Sequence, residues 1–271
     1  MTVFLVGAEC PMRCVFCDLW RHTLEQRTPE GAILAQVEFA LARLADQGWP
    51  LAETRVKLYN ASNFFEPRSV PDADAMAVAD LLRSARRVVV ESHPKLLGQR
   101  CQSFVERLGV GGAKLEVAMG LETAHPAALR RMRKGADLDD FAASALWLRE
   151  RGIALRIFLL IGVPFIGREE QIPWLQRSVE TACRLGAERI ALIPTRSTVP
   201  AMERLRLEGE FAPPTLTLVE QALEAARALT DADPRKVLVS VDSWDLEALA
   251  ANEPDAEHRI ARLQRIEASD P

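Results

Sequence analysis

A chain of 271 residues with 48% apolar side chains has material for one large core, and α/β barrels are the usual exception to counting domains by length. Its 34 basic and 38 acidic residues leave a net charge of -4, which excludes bulk attraction to nucleic acid or membrane and requires any polyanion contact to be local. The 5 cysteines are odd in number and no apolar run approaches the roughly 18 residues of a membrane span, so neither a disulfide framework, a signal peptide nor a membrane partner is expected, and a reducing cytoplasm is the natural compartment.

In chain order, short β-branched runs alternate with longer amphipathic stretches. Strands are expected at 3–6, 55–60, 87–92, 114–122, 155–162, 189–194 and 236–242, and helices near 29–47, 72–85, 98–108, 137–151, 169–185, 216–230 and 245–265. Most of the strands are apolar on both faces, the pattern of parallel strands covered by helices on either side. Gly48, Gly109, Gly152 and Gly186 each follow a helical stretch and fit left-handed C-caps. Pro29, Pro71 and Pro126 stand near helix starts, where a missing N–H costs nothing. No linker breaks the alternation. Residues 1–271 therefore read as a single α/β domain, a parallel TIM-type βα barrel, partial or nearly closed, with a short tail after about residue 265 that frays.

In such barrels the chemistry lies at the carboxyl ends of the strands. Asn60, Ser62 and Asn63 follow the second strand; Glu91, Ser92 and His93 the third; Glu122, Thr123 and His125 the fourth. Pro164 and Arg168 follow the fifth, Thr195 and Arg196 the sixth, Asp242 and Trp244 the seventh. After the first strand comes ECPMRCVFCDLW, residues 9–20, with Cys10, Cys14 and Cys17 in Cys-x3-Cys-x2-Cys spacing. Three thiolates ligate three irons of a cubane 4Fe-4S cluster and leave the fourth iron open, as catalytic zinc keeps one position free. Two other readings compete. One is a zinc site completed by His22, although structural zinc ligands usually come as two separated pairs; the other is three incidental thiols, which Pro11, Arg13 and Asp18 in the same loop argue against.

The cysteine loop resembles the motif of the radical S-adenosylmethionine (SAM) enzymes. The resemblance implies a 4Fe-4S cluster on Cys10, Cys14 and Cys17, S-adenosyl-L-methionine chelating the open iron, and its cleavage to a 5'-deoxyadenosyl radical that removes a hydrogen atom from a substrate. It extends over residues 3–245 and implies further roles. Phe16 lies near the adenine or packs the loop. Asn60, Ser62 and Asn63, in LYNASNFFEP, stand where the family often has a glycine-rich segment receiving the SAM ammonium; the Gly-Gly-Glu form is absent here. Glu122, an acceptor-only carboxylate when ionised, suits ribose hydroxyls or the ammonium, or pairs with a nearby arginine. Arg156, costly inside a strand without a partner, faces either the SAM carboxylate or Glu150. LLIGVPF, 159–165, is similar to the segment in the coproporphyrinogen dehydrogenase and Elongator subgroup whose backbone meets adenine. That marks Gly162 and Val163; the other reading is core strand plus turn. His93 and His125 are candidate catalytic residues, or turn caps held extended by the prolines that follow. Tyr59 reads as core, and Cys101 and Cys183 as helix packing.

LYNASNFFEPRSVP, VVVESHP, EVAMGLETAHP and ALIPTR together resemble the radical SAM proteins of archaeosine formation and their bacterial relatives. That branch implies a modified guanine in tRNA, with C–N cleavage in a lysine adduct; the partner expected for the cluster is an electron donor such as flavodoxin or ferredoxin. RRMRK, 130–134, is the expected phosphate contact, or else a solvated helix face. The alternatives are a radical SAM enzyme that tailors a small molecule or peptide, and a zinc-stabilised binding protein.

Overall fold

The computed structural model describes residues 1–250 and 253–268. Its strands are β1 (Thr2–Leu5), β2 (Arg55–Asn60), β3 (Arg87–Glu91), β4 (Lys114–Glu122), β5 (Ala154–Ile161), β6 (Arg189–Pro194) and β7 (Leu238–Val241). The helices are α1 (Ala32–Asp46), α2 (Asp72–Leu82), α3 (Gln99–Gly109), α4 (Pro126–Arg131), α5 (Leu138–Glu150), α6 (Gln171–Leu185), α7 (Pro200–Leu207), α8 (Leu216–Asp231) and α9 (Ala256–Ala268). Sheet order equals chain order, and every register from β1 to β4 and from β5 to β7 is parallel. Parallel neighbours need a crossover of a dozen or more residues, which the intervening helices supply. The class is α/β, a partial TIM-type βα barrel. β4 and β5 are buried nearly throughout, whereas β1 and β7 have four residues each with one fully buried residue apiece, as befits short edge strands.

The chain divides into two compact units. The first comprises Met1–Arg13, Asp18–Met119 and Leu146–Ala154. Its core takes Leu58, Val89 and Val117 from the strands and Ile33, Val37, Val78 and Leu108 from the helices. Phe64, Phe65 and Phe104 add an edge-to-face cluster at 5.1–5.8 Å, and such rings gain beyond their buried area. Helix α1 lacks its own capping side chain because Gly31 stands at its N-cap. Asp74 of α2 caps it instead, accepting from the N–H groups of Gly31, Ile33 and Leu34 at 2.6–3.3 Å. The second unit comprises Cys14–Cys17, Gly120–Ala145 and residues from Leu155 onward. Here Leu159, Ile190, Leu192 and Val241 of the strands and Val179, Ala182, Val219 and Ala226 of the helices are buried.

Several expectations are corrected. Helix α3 continues through Gly109; the left-handed residue is Gly112 (φ 89°), and a Cβ on Gly111 would stand 2.3 Å from the Arg83 carbonyl oxygen. Gly48, Gly152 and Gly186 are left-handed as expected. The expected helix over 245–265 breaks into a 3-10 turn, Leu246–Leu249, and α9; Pro254 lies between them and disfavours helix at the residue before it. β7 starts only at Leu238 because Lys236 is left-handed (φ 51°). Two short helices, α4 and α7, lie outside the expected helical ranges, although Pro126 was read near a helix start; both begin on a proline at the first helical position. The tail after about 265 was expected to fray; α9 runs to Ala268, and 269–271 lie outside the described residues.

Candidate functional site

In the first unit, the segment after β1 is pinned before it reaches Cys10. Ala8 N–H donates to Thr28 Oγ1 (2.8 Å), Glu9 N–H to the Leu24 carbonyl (3.0 Å) and Leu24 N–H to the Gly7 carbonyl (2.9 Å). A Cβ on Gly7 would stand 2.6 Å from the Ser69 carbonyl oxygen, so glycine there permits the close approach. Asn63 Nδ2 donates toward Cys10 Sγ at 3.5 Å. Asn60 Nδ2 donates to Ser69 Oγ (3.1 Å), but Asn60 Oδ1 and Ser62 Oγ are buried without a hydrogen-bond partner. This segment is fixed because Phe64 and Phe65 are sunk in the core and Phe64 N–H donates to the Glu91 carbonyl (2.8 Å). His93 accepts from Lys95 N–H through Nδ1 (3.3 Å), capping a 3-10 turn. Tyr59 is half-buried against Phe4 rather than in the core, and His22 is exposed.

In the second unit, Val15 N–H donates to the Met132 carbonyl (3.0 Å) and Cys17 N–H to the Cys14 carbonyl (3.1 Å). Phe16 packs on a cluster of Ala128, Leu129, Met132, Leu160, Val163 and Ile166, and with Val15 also on Val199, Met202 and Phe211. Gly162 is left-handed (φ 76°), and a Cβ there would stand 3.0 Å from Pro214 Cδ. The Gln171 amide accepts from Val163 N–H (2.9 Å) and donates to the Val163 and Ile166 carbonyls (3.0 and 2.8 Å). Val163's backbone is thus already engaged, and its side chain is what faces the Phe16 cluster.

Glu122, 6% exposed, ends β4 in a left-handed conformation (φ 65°). Its Oε1 accepts from Lys134 Nζ at 2.8 Å; the partner is this lysine, not an arginine. Of RRMRK, Lys134 is therefore buried and Arg131 is held by Glu210 through two hydrogen bonds (3.1 and 2.9 Å) and stacks on Phe165 at 3.9 Å. Arg131 keeps the Glu210 carboxyl below its ordinary range. Arg130 and Arg133 are exposed. His125 accepts from Ala128 N–H through Nδ1 (3.2 Å), capping α4, and lies 4.3 Å from the Trp174 ring. Arg156 is buried in β5, while Glu150 of the first unit pairs with Arg151 at 3.6 Å. Thr195 Oγ1 is buried without a hydrogen-bond partner, and Arg196 donates to Asp242 Oδ2 at 2.8 Å.

None of the five cysteines is in a disulfide; Cys10, Cys14 and Cys17 are partly exposed and Cys101 is buried in α3. Among the described residues no three His, Cys, Asp or Glu side chains converge as a site for one metal ion. Sequence reasoning read Lys134 only as part of RRMRK and missed its pairing with Glu122, and it missed Gln171 altogether. An isolated glycine inside a strand marks close approach of another group, and Gly120 was that signal for Lys134. Gln171 had none.

No family model matches the chain. The fold is similar to that of solved structures that include a radical SAM enzyme. It superposes on archaeal Elp3 from Methanocaldococcus infernus with a TM-score of 0.62 at 13% identity, over 88% of this chain and 56% of that one. With coproporphyrinogen III oxidase (HemN) from Escherichia coli, a radical SAM enzyme, the TM-score is 0.53 at 17% identity, over 85% and 52%. In sequence the chain is similar to archaeosine synthase subunit beta of Methanosarcina acetivorans: 26% identical over 241 residues, 84% of this chain and 67% of that protein. It thus spans about two thirds of that relative and little more than half of the two structures. Among the described residues no helix is long and apolar enough to cross a membrane.

Proposed function

We propose that the chain is a radical SAM enzyme, with Cys10, Cys14 and Cys17 holding a 4Fe-4S cluster and SAM bound beside it. The donor set fits: three partly exposed thiols, none in a disulfide, in a loop that follows a strand. The observation that carries the reading lies around Cys10. Asn63 Nδ2 reaches its sulfur, and close by in sequence Asn60 Oδ1 and Ser62 Oγ are buried without partners. A buried polar atom left unmade costs about 1–3 kcal/mol, and unmet acceptors at this position suit an ammonium. When bound, the cluster and SAM supply reductive cleavage of a sulfonium to a 5'-deoxyadenosyl radical, which takes a hydrogen atom from the substrate. The chain's own residues do the rest. Asn63 donates to sulfur, the kind of outer contact that tunes such centres; Phe16 and its apolar neighbours keep water from their side of the loop; Glu122 offers an acceptor oxygen.

The substrate we propose is a modified guanine nucleoside in tRNA, undergoing an archaeosine-type C–N cleavage. Similarity to archaeosine synthase subunit beta over most of this chain supports it, and Arg130 and Arg133 remain exposed for phosphate. Tailoring of a small molecule or peptide is the second reading, favoured by the engagement of Arg131 and Lys134 by Glu210 and Glu122. The electron donor is of the flavodoxin or ferredoxin kind, and a reducing cytoplasm suits the thiols. Release of 5'-deoxyadenosine by the reconstituted protein, with and without tRNA at two salt concentrations, tests the substrate. Stimulation that falls with salt is expected. Full turnover on a free small molecule without RNA would refute the nucleic-acid reading.

A further inference from the structure

Lys134 and Glu122 form an ion pair that the functional reading does not itself require. Nζ and Oε1 are 2.8 Å apart, and the two side chains are only 11% and 8% exposed. Burying two charges is costly unless geometry and hydrogen bonding repay it, so the pair needs a reason. Its setting is built for it. Glu122 takes a left-handed backbone (φ 65°), which costs a non-glycine residue about 1–2 kcal/mol that its surroundings must offset. Gly120 makes the room: a Cβ there would stand 2.2 Å from Glu122 Oε1 and 2.8 Å from Lys134 Nζ.

Two consequences follow from electrostatics. The lysine fixes the carboxylate in one orientation, with Oε1 taken and Oε2 left to accept. It also cancels the carboxylate's charge, so a cation arriving at Oε2 gains little, whereas a neutral hydroxyl still finds a strong, ordered acceptor. Resting on the reading of Glu122 as a SAM ligand, we propose that Lys134 is a positioning residue that commits Glu122 to a ribose hydroxyl of SAM and not to its ammonium.

The test titrates SAM and its 2'-deoxy and 3'-deoxy analogues into anaerobically reconstituted protein. Wild type should lose about ten- to a hundredfold in affinity when the hydroxyl held by Glu122 is removed, the range for a hydrogen bond to a charged group. In Lys134→Met, in Gly120→Ala and in Glu122→Gln that discrimination should collapse toward none, and Lys134→Met should have no further effect on it in the Glu122→Gln background. Melting of the apo-proteins guards against misfolding: the double variant should be more stable than Lys134→Met alone, which leaves a buried carboxylate unpaired. If Lys134→Met weakens SAM and both analogues by one common factor, or not at all, the inference fails and the SAM reading stands. If wild type with its cluster does not bind SAM, that reading fails and the inference with it.

Discussion

Replacing Gln171 by leucine tests whether the loop after β5 is held by one side chain. The amide makes three hydrogen bonds to backbone groups of Val163 and Ile166, residues only 6% and 7% exposed. At about 1 kcal/mol net for each bond, the loss is about 3 kcal/mol, falling to about 2 if the loop rehydrates. Urea denaturation of the apo-protein reads it as a lower midpoint at unchanged slope, and heating as a Tm drop of about 4–10 °C for a chain of this size. SAM affinity of the reconstituted variant should fall too, because Val163 and Ile166 form the surface on which Phe16 packs. Gln171→Glu sharpens the test. At neutral pH its carboxylate can accept from Val163 N–H but faces two carbonyls to which it cannot donate, so it should be as unstable as leucine. Protonation restores a donor. Its carboxyl pKa is thereby raised in the folded state, and its deficit relative to wild type should shrink as pH falls through that value toward the ordinary glutamate value of about 4.3. A loss below about 0.5 kcal/mol in Gln171→Leu, or a pH-independent deficit in Gln171→Glu, would refute the reasoning.

Three further outcomes are expected. Gly162→Ala should cost about 1–2 kcal/mol for its left-handed φ of 76°, plus the 3.0 Å approach to Pro214, measured by urea denaturation. Burial pushes the Cys101 thiol up to about 12, so iodoacetamide at pH 8 should label Cys10, Cys14 and Cys17 of the apo-protein and spare Cys101 until urea is added; native labelling of Cys101 would contradict this. In acid, Asp233 is held down to about 2 by Arg235, and Glu210 and Glu220 are lowered by Arg131 and Arg259. Carboxylates with depressed folded values stabilise above their ordinary values, 3.8 for aspartate and 4.5 for glutamate, and lose that contribution as pH falls through the folded ones. Stability should therefore decline from about pH 5 toward pH 2, less steeply in high salt because these pairs are partly exposed; Asp233→Asn should flatten the most acidic part.

The alternation of strand and helix was legible because parallel strands buried on both faces leave largely apolar runs: β4 and β6 fall where the sequence puts them, as does β2, whose burial alternates. Helix ends were legible where a glycine takes the left-handed turn, as at Gly186, and illegible where two glycines compete, as at Gly109 and Gly112. Short helices such as α4 carry too few turns for periodicity to register. Within the candidate site, the cysteine spacing and the polar segment 60–63 could be read because they are local in sequence. His93 and His125 could be read only as alternatives, and the structure uses Nδ1 of each as a cap. What escaped was the pairing of side chains far apart in the chain. Lys134 read as one more cation of RRMRK, whereas Glu122, 12 residues away, holds it, and nothing local in the sequence marked Asp74 of α2 as the cap of α1.

The central claim is the iron cluster and what it does to SAM. The measurement is iron, sulfide and zinc per chain after anaerobic reconstitution, with 5'-deoxyadenosine formed from SAM and dithionite, for wild type, Cys14→Ala and His22→Ala. About four irons and cofactor cleavage are predicted for wild type and His22→Ala, and neither for a folded Cys14→Ala. Zinc without iron, no cleavage, and metal lost in His22→Ala would contradict the account.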